Sequence, residues 1–232
     1  MDGSHLMARS NRMRGRGKTF ADRRSAGVEL AHAVRELNPK PPIVVLGLPR
    51  GGVPVAYEVA QAIGAPLDVL VVRKVGMPGQ PELAIGAVAS GGITVRDPPA
   101  AMIGIPDQAF EEIAARERIE LERREHAYRA GLPPLDLDGK TVVLVDDGIA
   151  TGATMLAALR AARQAHAASV IVAAPVASED ACAALEREAD RTVILMTPRL
   201  LLSIGQWYED FGQVEDAQVR TLLERPQALP ST

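Results

Sequence analysis

Short aliphatic runs alternate along the chain with stretches in which apolar residues recur every three or four positions. The aliphatic runs lie at 43–46, 66–74, 142–145, 168–178 and 191–198. Such a run is typical of a buried strand, whereas the longer period is typical of a helix. Strands that are joined by helical crossovers form a parallel sheet with helices on both faces. The pattern therefore predicts an α/β fold whose core is a parallel β-sheet.

The predicted helices differ in how much apolar surface they carry. Residues 53–64 follow a Gly/Pro turn, place Val55 and Val59 on one face and end at Gly64, the expected C-cap. Residues 179–188 and the end of the chain predict two shorter helices. By contrast, residues 105–129 predict a long charged helix that begins near Asp107 and has few apolar positions.

The charges of this long helix favour an exposed surface. Glutamate precedes arginine at i,i+4 spacing in three pairs, Glu112–Arg116, Glu120–Arg124 and Glu125–Arg129. Pairs with this spacing and order stabilise a helix in water. We expect a solvated helix laid across the domain, with a homodimer contact as the alternative.

One domain with accessory segments accounts for the chain. Residues 75–84 are rich in Gly and Pro and predict a mobile loop that leads into a small hairpin. The domain is expected at 21–225, with accessory segments at about 74–130 and 198–225. Residues 1–20 are interpreted as a tag remnant and a basic flexible N-terminus, and residues 226–232 as a tail.

Composition and charge argue against several classes of protein. Of the 232 residues, 47% are apolar and 24% are charged, a globular balance that argues against disorder. The net charge of -3 provides no overall field to attract nucleic acid. No apolar run approaches membrane-spanning length and no secretory signal is visible, so we expect a cytoplasmic protein. The single cysteine, Cys182, supports neither an internal disulfide nor a cysteine-based metal site.

Basic charge is concentrated near the N-terminus. The cations there are Arg9, Arg12, Arg14, Arg16, Lys18, Arg23 and Arg24. Only Asp22 opposes them. This run favours a solvated, frayed terminus, and an arm that contacts phosphates or a partner is the alternative.

Two adjacent aspartates, Asp146 and Asp147, follow the aliphatic run at 142–145, where burial and mutual repulsion disfavour both charges. In open α/β sheets, ligands bind beyond the carboxyl ends of the strands. The next residues, GIATGAT, supply backbone N–H groups before a helix begins, and such groups bind phosphate. Ionised aspartate only accepts hydrogen bonds, so the pair suits neighbouring hydroxyls. A 5-phosphorylated ribose has both a phosphate and a vicinal diol.

Other interpretations of this segment fit less well. The chain has neither G-x-x-x-x-G-K-[ST] nor G-x-G-x-x-G, so a P-loop and a dinucleotide fingerprint are excluded. A paired-carboxylate acid/base site needs separated groups with different pKa values. Helix capping explains one of the two aspartates but not both.

The segment VVLVDDGIATGAT resembles the phosphoribosyl pyrophosphate (PRPP) signature of the type I phosphoribosyltransferases. The similarity covers roughly residues 40–215. The family's pyrophosphate loop, its helix and the next strand are resembled by GLPRGGVPVA and VLVVRK. The family's hood, which closes over the base, corresponds in position to SIGQWYEDFGQVED. The nearest resemblance is to an uncharacterised bacterial branch. It implies a Rossmann-like sheet with a small hood at about 198–213. Gly148 departs from the pattern, because the family usually has an aliphatic residue there.

The resemblance also implies site residues. Asp146 and Asp147 would bind the ribose 2- and 3-hydroxyls, with Asp147, Arg50 and Lys74 as the catalytic set. The 5-phosphate would bind the loop formed by Gly148, Ile149, Ala150, Thr151, Gly152, Ala153 and Thr154. Pyrophosphate would bind the turn formed by Pro49, Arg50, Gly51 and Gly52, which in the family often contains a cis peptide. Arg73 and Lys74 are either further pyrophosphate ligands or solvated cations at a strand end.

The implied reaction transfers the phosphoribosyl group from PRPP to a nucleobase or similar acceptor and releases pyrophosphate, as in purine salvage. Mg²⁺ would be held mainly by PRPP oxygens, with Asp146 and Asp147 contributing through water. Segment 75–84 would close as a lid that excludes water, and an ordinary hairpin loop is the alternative. A regulatory module that binds PRPP or a nucleotide without turnover is the alternative function.

The acceptor stays open at this point. Family members that act on 6-oxopurines carry an acid where this chain has Ala150, which argues against hypoxanthine and guanine. Ala150 and the Arg73–Lys74 pair resemble the adenine-type enzymes, but the loop after them lacks the Glu-Tyr element of that group. Trp207 and Tyr208, with Phe211 nearby, could stack on a base. Three aromatics in a short stretch more often form a local packing cluster.

Overall fold

The computed structural model describes residues 19–96 and 105–225. Its core is a parallel sheet whose strands, numbered along the chain, are β1 (Ile43–Gly47), β2 (Leu67–Val69), β6 (Thr141–Val145), β7 (Ser169–Val176) and β8 (Arg191–Met196). They lie in the order β2-β1-β6-β7-β8. The predicted parallel α/β fold is therefore confirmed.

Helices cover both faces of this sheet. The helices of the described residues are α1 (Arg23–Glu36), α2 (Gly52–Ile63), α3 (Asp107–Arg129), α4 (Ala153–Gln164), α5 (Glu179–Glu186) and α6 (Asp216–Glu224), and α1, α2, α4 and α5 pack on this sheet. Successive strand residues point to opposite faces. Val45 and Val143 pack in one core with α1 and α2, while Leu46 and Leu144 pack in the other with α4 and α5.

A second sheet replaces the loop that was predicted at 75–84. Strands β3 (Val72–Met77), β4 (Gln80–Ala89) and β5 (Ile93–Arg96) form an antiparallel sheet, and β3 and β4 turn at Pro78 and Gly79. The loop prediction was wrong because pairing with β4 supplies hydrogen bonds that local propensity does not indicate. The predicted strand at 66–74 is likewise divided, so that Arg73 and Lys74 lie inside β3 and not at a strand end.

The long helix α3 packs on this second sheet and on α6. Its buried residues include Phe110, Ala114 and Leu121, and the predicted ion pair between Glu120 and Arg124 is present. The expectation of a solvated helix is wrong at its C-terminal end. There Arg129 is 8% exposed and donates two hydrogen bonds to the Asp68 carboxylate of β2, at 2.8 and 2.9 Å.

The N-terminal helix is ordered from its first residue. Asp22 and Ser25 form a reciprocal capping box at the start of α1. Phe20 pairs with the hood through hydrogen bonds from its N–H to the Trp207 carbonyl and from the Glu209 N–H to its own carbonyl. The prediction of a frayed terminus is therefore wrong for Arg23 and Arg24, since a capped helix holds them. The cations from Arg9 to Lys18, and the predicted tail at 226–232, lie outside the described residues.

Within 19–96 and 105–225, no helix is both long enough and apolar enough to cross a membrane.

Candidate functional site

Two loops leave the carboxyl edge of the sheet side by side. Strands β1 and β6 are neighbours in register, with Gly47 opposite Val145. The Leu48 N–H donates to the Val145 carbonyl oxygen at 2.9 Å, which carries the pairing one residue past the strand. As a result, the turn at 49–52 and the acid pair lie next to each other, although about a hundred residues separate them in the chain.

The turn at 49–52 approaches the acid pair so closely that it requires glycine. The Pro49–Arg50 peptide bond is cis, and α2 begins at Gly52. A Cβ atom on Gly51 would lie 2.0 Å from Asp147 Oδ2, and one on Gly52 would lie 2.6 Å from the Val145 carbonyl oxygen. Neither distance leaves room for a side chain. The turn predicted to bind pyrophosphate is thus in contact with the carboxylate predicted to bind the ribose.

The two carboxyl groups have different environments. Asp146 is set deep in the protein, although the residue keeps some solvent contact, and its Oδ1 accepts a hydrogen bond from the Asp147 N–H at 2.8 Å. Burial, and then the neighbouring charge of Asp147, raise the pKa of Asp146 well above its ordinary value. Asp147, in contrast, pairs with a cation: its Oδ2 lies 2.7 Å from Arg23 Nε. The pair therefore favours one carboxylate that a guanidinium neutralises and one carboxyl group that resists ionisation.

Arg23 connects this acid pair to the hood. Its side chain is 13% exposed, its Nη1 donates to the Gly212 carbonyl at 2.7 Å, and its guanidinium lies 3.8 Å from the centre of the Phe211 ring. The basic run predicts a frayed segment at Arg23 and does not indicate this role. The signal that could have located it is the capping pattern Asp22-x-x-Ser25, which marks the start of a helix.

The loop at 148–154 is anchored at one end and open at the other. The Ile149 N–H donates to the Val176 carbonyl, and the Ser178 N–H donates back to Ile149, both at 2.9 Å. Gly152 has a φ of 78°, a left-handed conformation that favours glycine, and α4 begins directly after it. The first N–H groups of a helix have no partner within it. With Thr151 and Thr154 exposed, the loop offers amide and hydroxyl donors to a phosphate.

Gly148, which departs from the family pattern, lies against the hood residue Ile204. A Cβ atom on Gly148 would lie 2.4 Å from Ile204 Cγ2 and 2.7 Å from Ile204 Cδ1. The Ile204 side chain therefore fills the space where the family pattern places an aliphatic residue on the loop itself. This packing joins the hood to the loop.

The aromatic residues of the hood pack within the protein. The Tyr208 ring lies 5.6 Å from Phe20 and 4.9 Å from Phe211, centre to centre, and is buried. Its hydroxyl donates to the Asp147 carbonyl at 2.5 Å, and burial raises the pKa of Tyr208 above its ordinary value. Trp207 is half-buried beside it. Stacking of a base on Trp207 or Tyr208 remains a prediction.

The predicted pyrophosphate cations lie in three different settings. Arg50 is 38% exposed and its Nη1 is 3.6 Å from Asp216 Oδ1, which also accepts a hydrogen bond from the Tyr128 hydroxyl at 3.0 Å. Arg73 pairs with Glu117 of α3 at 2.7 Å. Lys74 is exposed and, one residue along β3, points to the opposite face from Arg73. Neither Tyr128 nor Asp216 was predicted at the site, because their contacts with the turn are long-range.

The donor set for a metal is sparse. In the part of the chain that the structure describes, no three side chains of the His, Cys, Asp and Glu types lie close enough together to hold a metal ion. Asp146 and Asp147 provide two adjacent carboxyl groups directly after β6, at the carboxyl edge of the sheet. Such a set fits a hard cation that takes most of its ligands from substrate and water.

The fold is that of a parallel α/β protein, and the acid pair and the turn at 49–52 meet at the carboxyl edge of its sheet, where ligands bind in open α/β sheets. Residues 26–198 match the family model described as "Phosphoribosyl transferase domain", and the chain belongs to that family.

Two relatives are similar over most of this chain. A Mycobacterium tuberculosis protein, named "Putative phosphoribosyl transferase" in strains CDC 1551 and H37Rv, is 46% identical over 209 residues, which cover 90% of this chain and 47% of the relative. The chain thus spans about half the length of this curated relative. The protein TT1426 from Thermus thermophilus is 48% identical in sequence to this chain. Its crystal structure superposes with a TM-score of 0.81, and the match covers 88% of this chain and 97% of TT1426.

Proposed function

We propose that this protein transfers the 5-phosphoribosyl group of PRPP to a nucleobase or similar small acceptor and releases pyrophosphate. The observation that carries the proposal is the contact between Asp147 and Gly51. It brings together, at one edge of the sheet, a carboxylate that accepts from hydroxyls, a loop of phosphate-binding amides and a turn with a cation. PRPP is a ligand with a matching diol, monophosphate and diphosphate.

Each part of the site has a task in this reaction. Asp147 and Asp146 orient the ribose through its 2- and 3-hydroxyls, while the loop at 148–154 holds the 5-phosphate. Arg50, with one guanidinium nitrogen 3.6 Å from Asp216, faces the diphosphate from the turn at 49–52. Arg73 and Lys74 are secondary candidates to bind the diphosphate. Arg73 can do so only after its ion pair with Glu117 is broken.

The chemistry is a substitution at ribose C1. The bond from C1 to the pyrophosphate oxygen breaks with its electron pair going to pyrophosphate, and a bond from C1 to the acceptor nitrogen forms on the other face. The acceptor nitrogen then loses its proton to solvent. Positive charge develops on the ribose, so carboxylates beside the diol and cations at the leaving group stabilise the transition state. The β3–β4 hairpin is the segment proposed to exclude water.

The donor set at Asp146 and Asp147 fits Mg²⁺ bound together with PRPP. The two aspartates would hold it through water, and when bound it supplies positive charge against the diphosphate. The neutralisation of Asp147 by Arg23 in the free protein means that ligand binding must redistribute these charges.

A binding and turnover experiment tests the proposal. Titration of the protein with PRPP and Mg²⁺ should show saturable binding that Asp147→Asn weakens by about tenfold or more, the loss of one charge-assisted hydrogen-bond acceptor. Pyrophosphate release is then followed with a panel of purine and pyrimidine bases. Absence of PRPP binding in the wild-type protein would contradict the proposal. Binding without turnover on any acceptor would instead support a regulatory module.

A further inference from the structure

A small cleft of about 30 Å³ beside the turn at 49–52 has the long helix α3 as part of its lining. Its lining includes Leu48 just after β1, Pro49 from the turn, Thr154 from the start of α4, Arg124 and Tyr128 from α3, and the apolar residues 70–72. The same cleft therefore borders both the turn proposed for pyrophosphate and the loop proposed for the 5-phosphate. Part of its lining comes from a segment for which the sequence predicted a solvated surface, with a homodimer contact as the alternative.

Arg124 brings accessible positive charge to this lining. Its Nε donates to Glu120 at 2.8 Å, and its side chain is 43% exposed. Glu120 also accepts two hydrogen bonds from Arg123, and the two arginines lower the pKa of Glu120 to about 2. Two guanidinium groups thus share one carboxylate, which leaves net positive charge at this position on α3.

Tyr128 links the same lining to the turn. Its hydroxyl donates to Asp216, and Asp216 lies 3.6 Å from Arg50. The side chains of Arg124 and Tyr128 project from the same face of α3, since they are four residues apart. The helix therefore presents one cation to the cleft directly and reaches the second, Arg50, through Asp216.

We infer that Arg124 binds the diphosphate end of PRPP together with Arg50, so that α3 contributes to the pyrophosphate site. This inference rests on the proposed function. Two guanidinium groups that contact one diphosphate share its charge and fix its orientation, because each can donate two parallel hydrogen bonds to phosphate oxygens. Tyr128 is a positioning residue, since it acts on Arg50 through Asp216.

The experiment compares neighbouring arginines of the same helix. Arg124→Gln removes the cation that lines the cleft. Arg123→Gln removes the other arginine that is bonded to Glu120, and the Arg123 side chain is 65% exposed. The probes are inorganic pyrophosphate with Mg²⁺ and, separately, ribose 5-phosphate, each titrated by calorimetry. We expect Arg124→Gln to weaken pyrophosphate binding about tenfold or more and to change ribose 5-phosphate binding less than about twofold. We expect Arg123→Gln to change both by less than about twofold.

The outcomes separate the inference from the proposed function. If wild-type protein binds both probes and Arg124→Gln binds pyrophosphate as well as wild type does, the inference is wrong and the proposed function stands. An equal loss in the two glutamine variants would also overturn it, since Arg123 does not line the cleft. If wild-type protein binds PRPP but not pyrophosphate, the inference is wrong and the proposed function stands, and if it does not bind PRPP either, both are wrong. If Arg124→Gln unfolds, Arg124→Lys is the replacement variant, because it keeps the positive charge. It must bind pyrophosphate more weakly than wild type, and its binding must depend on salt concentration as strongly as that of wild type.

Discussion

Arg23 Nε lies 2.7 Å from Asp147 Oδ2, and the side chains of both residues are less than one-sixth exposed, at 13% and 14%. The first residue of α1 thereby neutralises the carboxylate at the centre of the proposed site, 124 positions further along the chain. Through Gly212 and Phe211 the same guanidinium holds the hood. An N-terminal helix, a strand end and the hood are thus joined by one side chain.

Arg23→Gln is expected to lower the free energy of unfolding by about 2–4 kcal/mol, because it leaves a mostly buried carboxylate without its cation. Urea denaturation measures this. The matched control is Arg24→Gln, whose side chain is 80% exposed and pairs with Glu58, and which should cost less than about 0.5 kcal/mol. Equal losses in the two variants would mean that the Arg23–Asp147 pair contributes no more than a surface contact.

Asp146→Asn is expected to stabilise the ligand-free protein at neutral pH by about 1–3 kcal/mol. The folded pKa of Asp146 is raised above 3.8, so the folded state retains a proton that the unfolded state has lost. The stability that this proton contributes is fully present below the unfolded pKa and is lost as pH rises through the folded pKa. Asparagine keeps the oxygen that accepts from the Asp147 N–H. Because it does not ionise, it removes the loss of stability that occurs as pH rises. Urea midpoints for both proteins from about pH 4 to about pH 8 should diverge as pH rises, and parallel profiles would contradict the assignment.

Gly148→Ala is expected to destabilise the protein by about 1–3 kcal/mol, since the new methyl group overlaps the Ile204 side chain. Ile204→Ala opens that space, so the double variant should be more stable than the sum of the single changes predicts, with a coupling of about 1 kcal/mol or more. Unfolding curves for the four proteins measure the coupling. Strict additivity would show that the loop and the hood do not share this space.

Gly51→Ala is expected to abolish PRPP binding while the protein stays folded, because its Cβ would displace the Asp147 carboxylate. Gly212→Ala is the control, since the nearest atom to its Cβ lies at an ordinary 3.4 Å. Circular dichroism checks the fold and PRPP titration checks the site. Full PRPP affinity in Gly51→Ala would show that the approach of the turn to Asp147 is not needed for binding.

Ligand binding should also change the fluorescence of Trp207, the single tryptophan of the chain. It lies half-buried in the hood next to Tyr208, whose hydroxyl is bonded to the Asp147 carbonyl. A saturable change on adding PRPP with Mg²⁺ is expected in the wild-type protein, and the change should require higher concentrations of PRPP in Asp147→Asn. A signal that does not respond to PRPP in a protein shown by calorimetry to bind it would separate the hood from the ribose site.

Much of the fold and part of the candidate site were determined by local sequence. The run at 142–145 forms a strand because consecutive aliphatic residues are stable only when both faces of the sheet are covered. Asp146 and Asp147 lie at the edge of the sheet because they follow that strand directly. Gly152 marks the start of α4 through its backbone conformation, which is also a local property.

Only the tertiary structure decided which distant groups meet at this edge. Segment 75–84 looked like a loop because glycine and proline have low strand propensity, and pairing with β4 overrides that preference. Arg124 and Asp216 carry no local mark of function, and the capping pattern at Arg23 marks only the start of a helix, since the significance of all three lies in the groups they approach across the fold. Charged side chains on helices are typical of solvated surfaces, and periodicity cannot distinguish a surface that faces water from one that faces a cleft. Local propensity therefore determined the strands and the acid pair, while long-range packing determined which cations surround them.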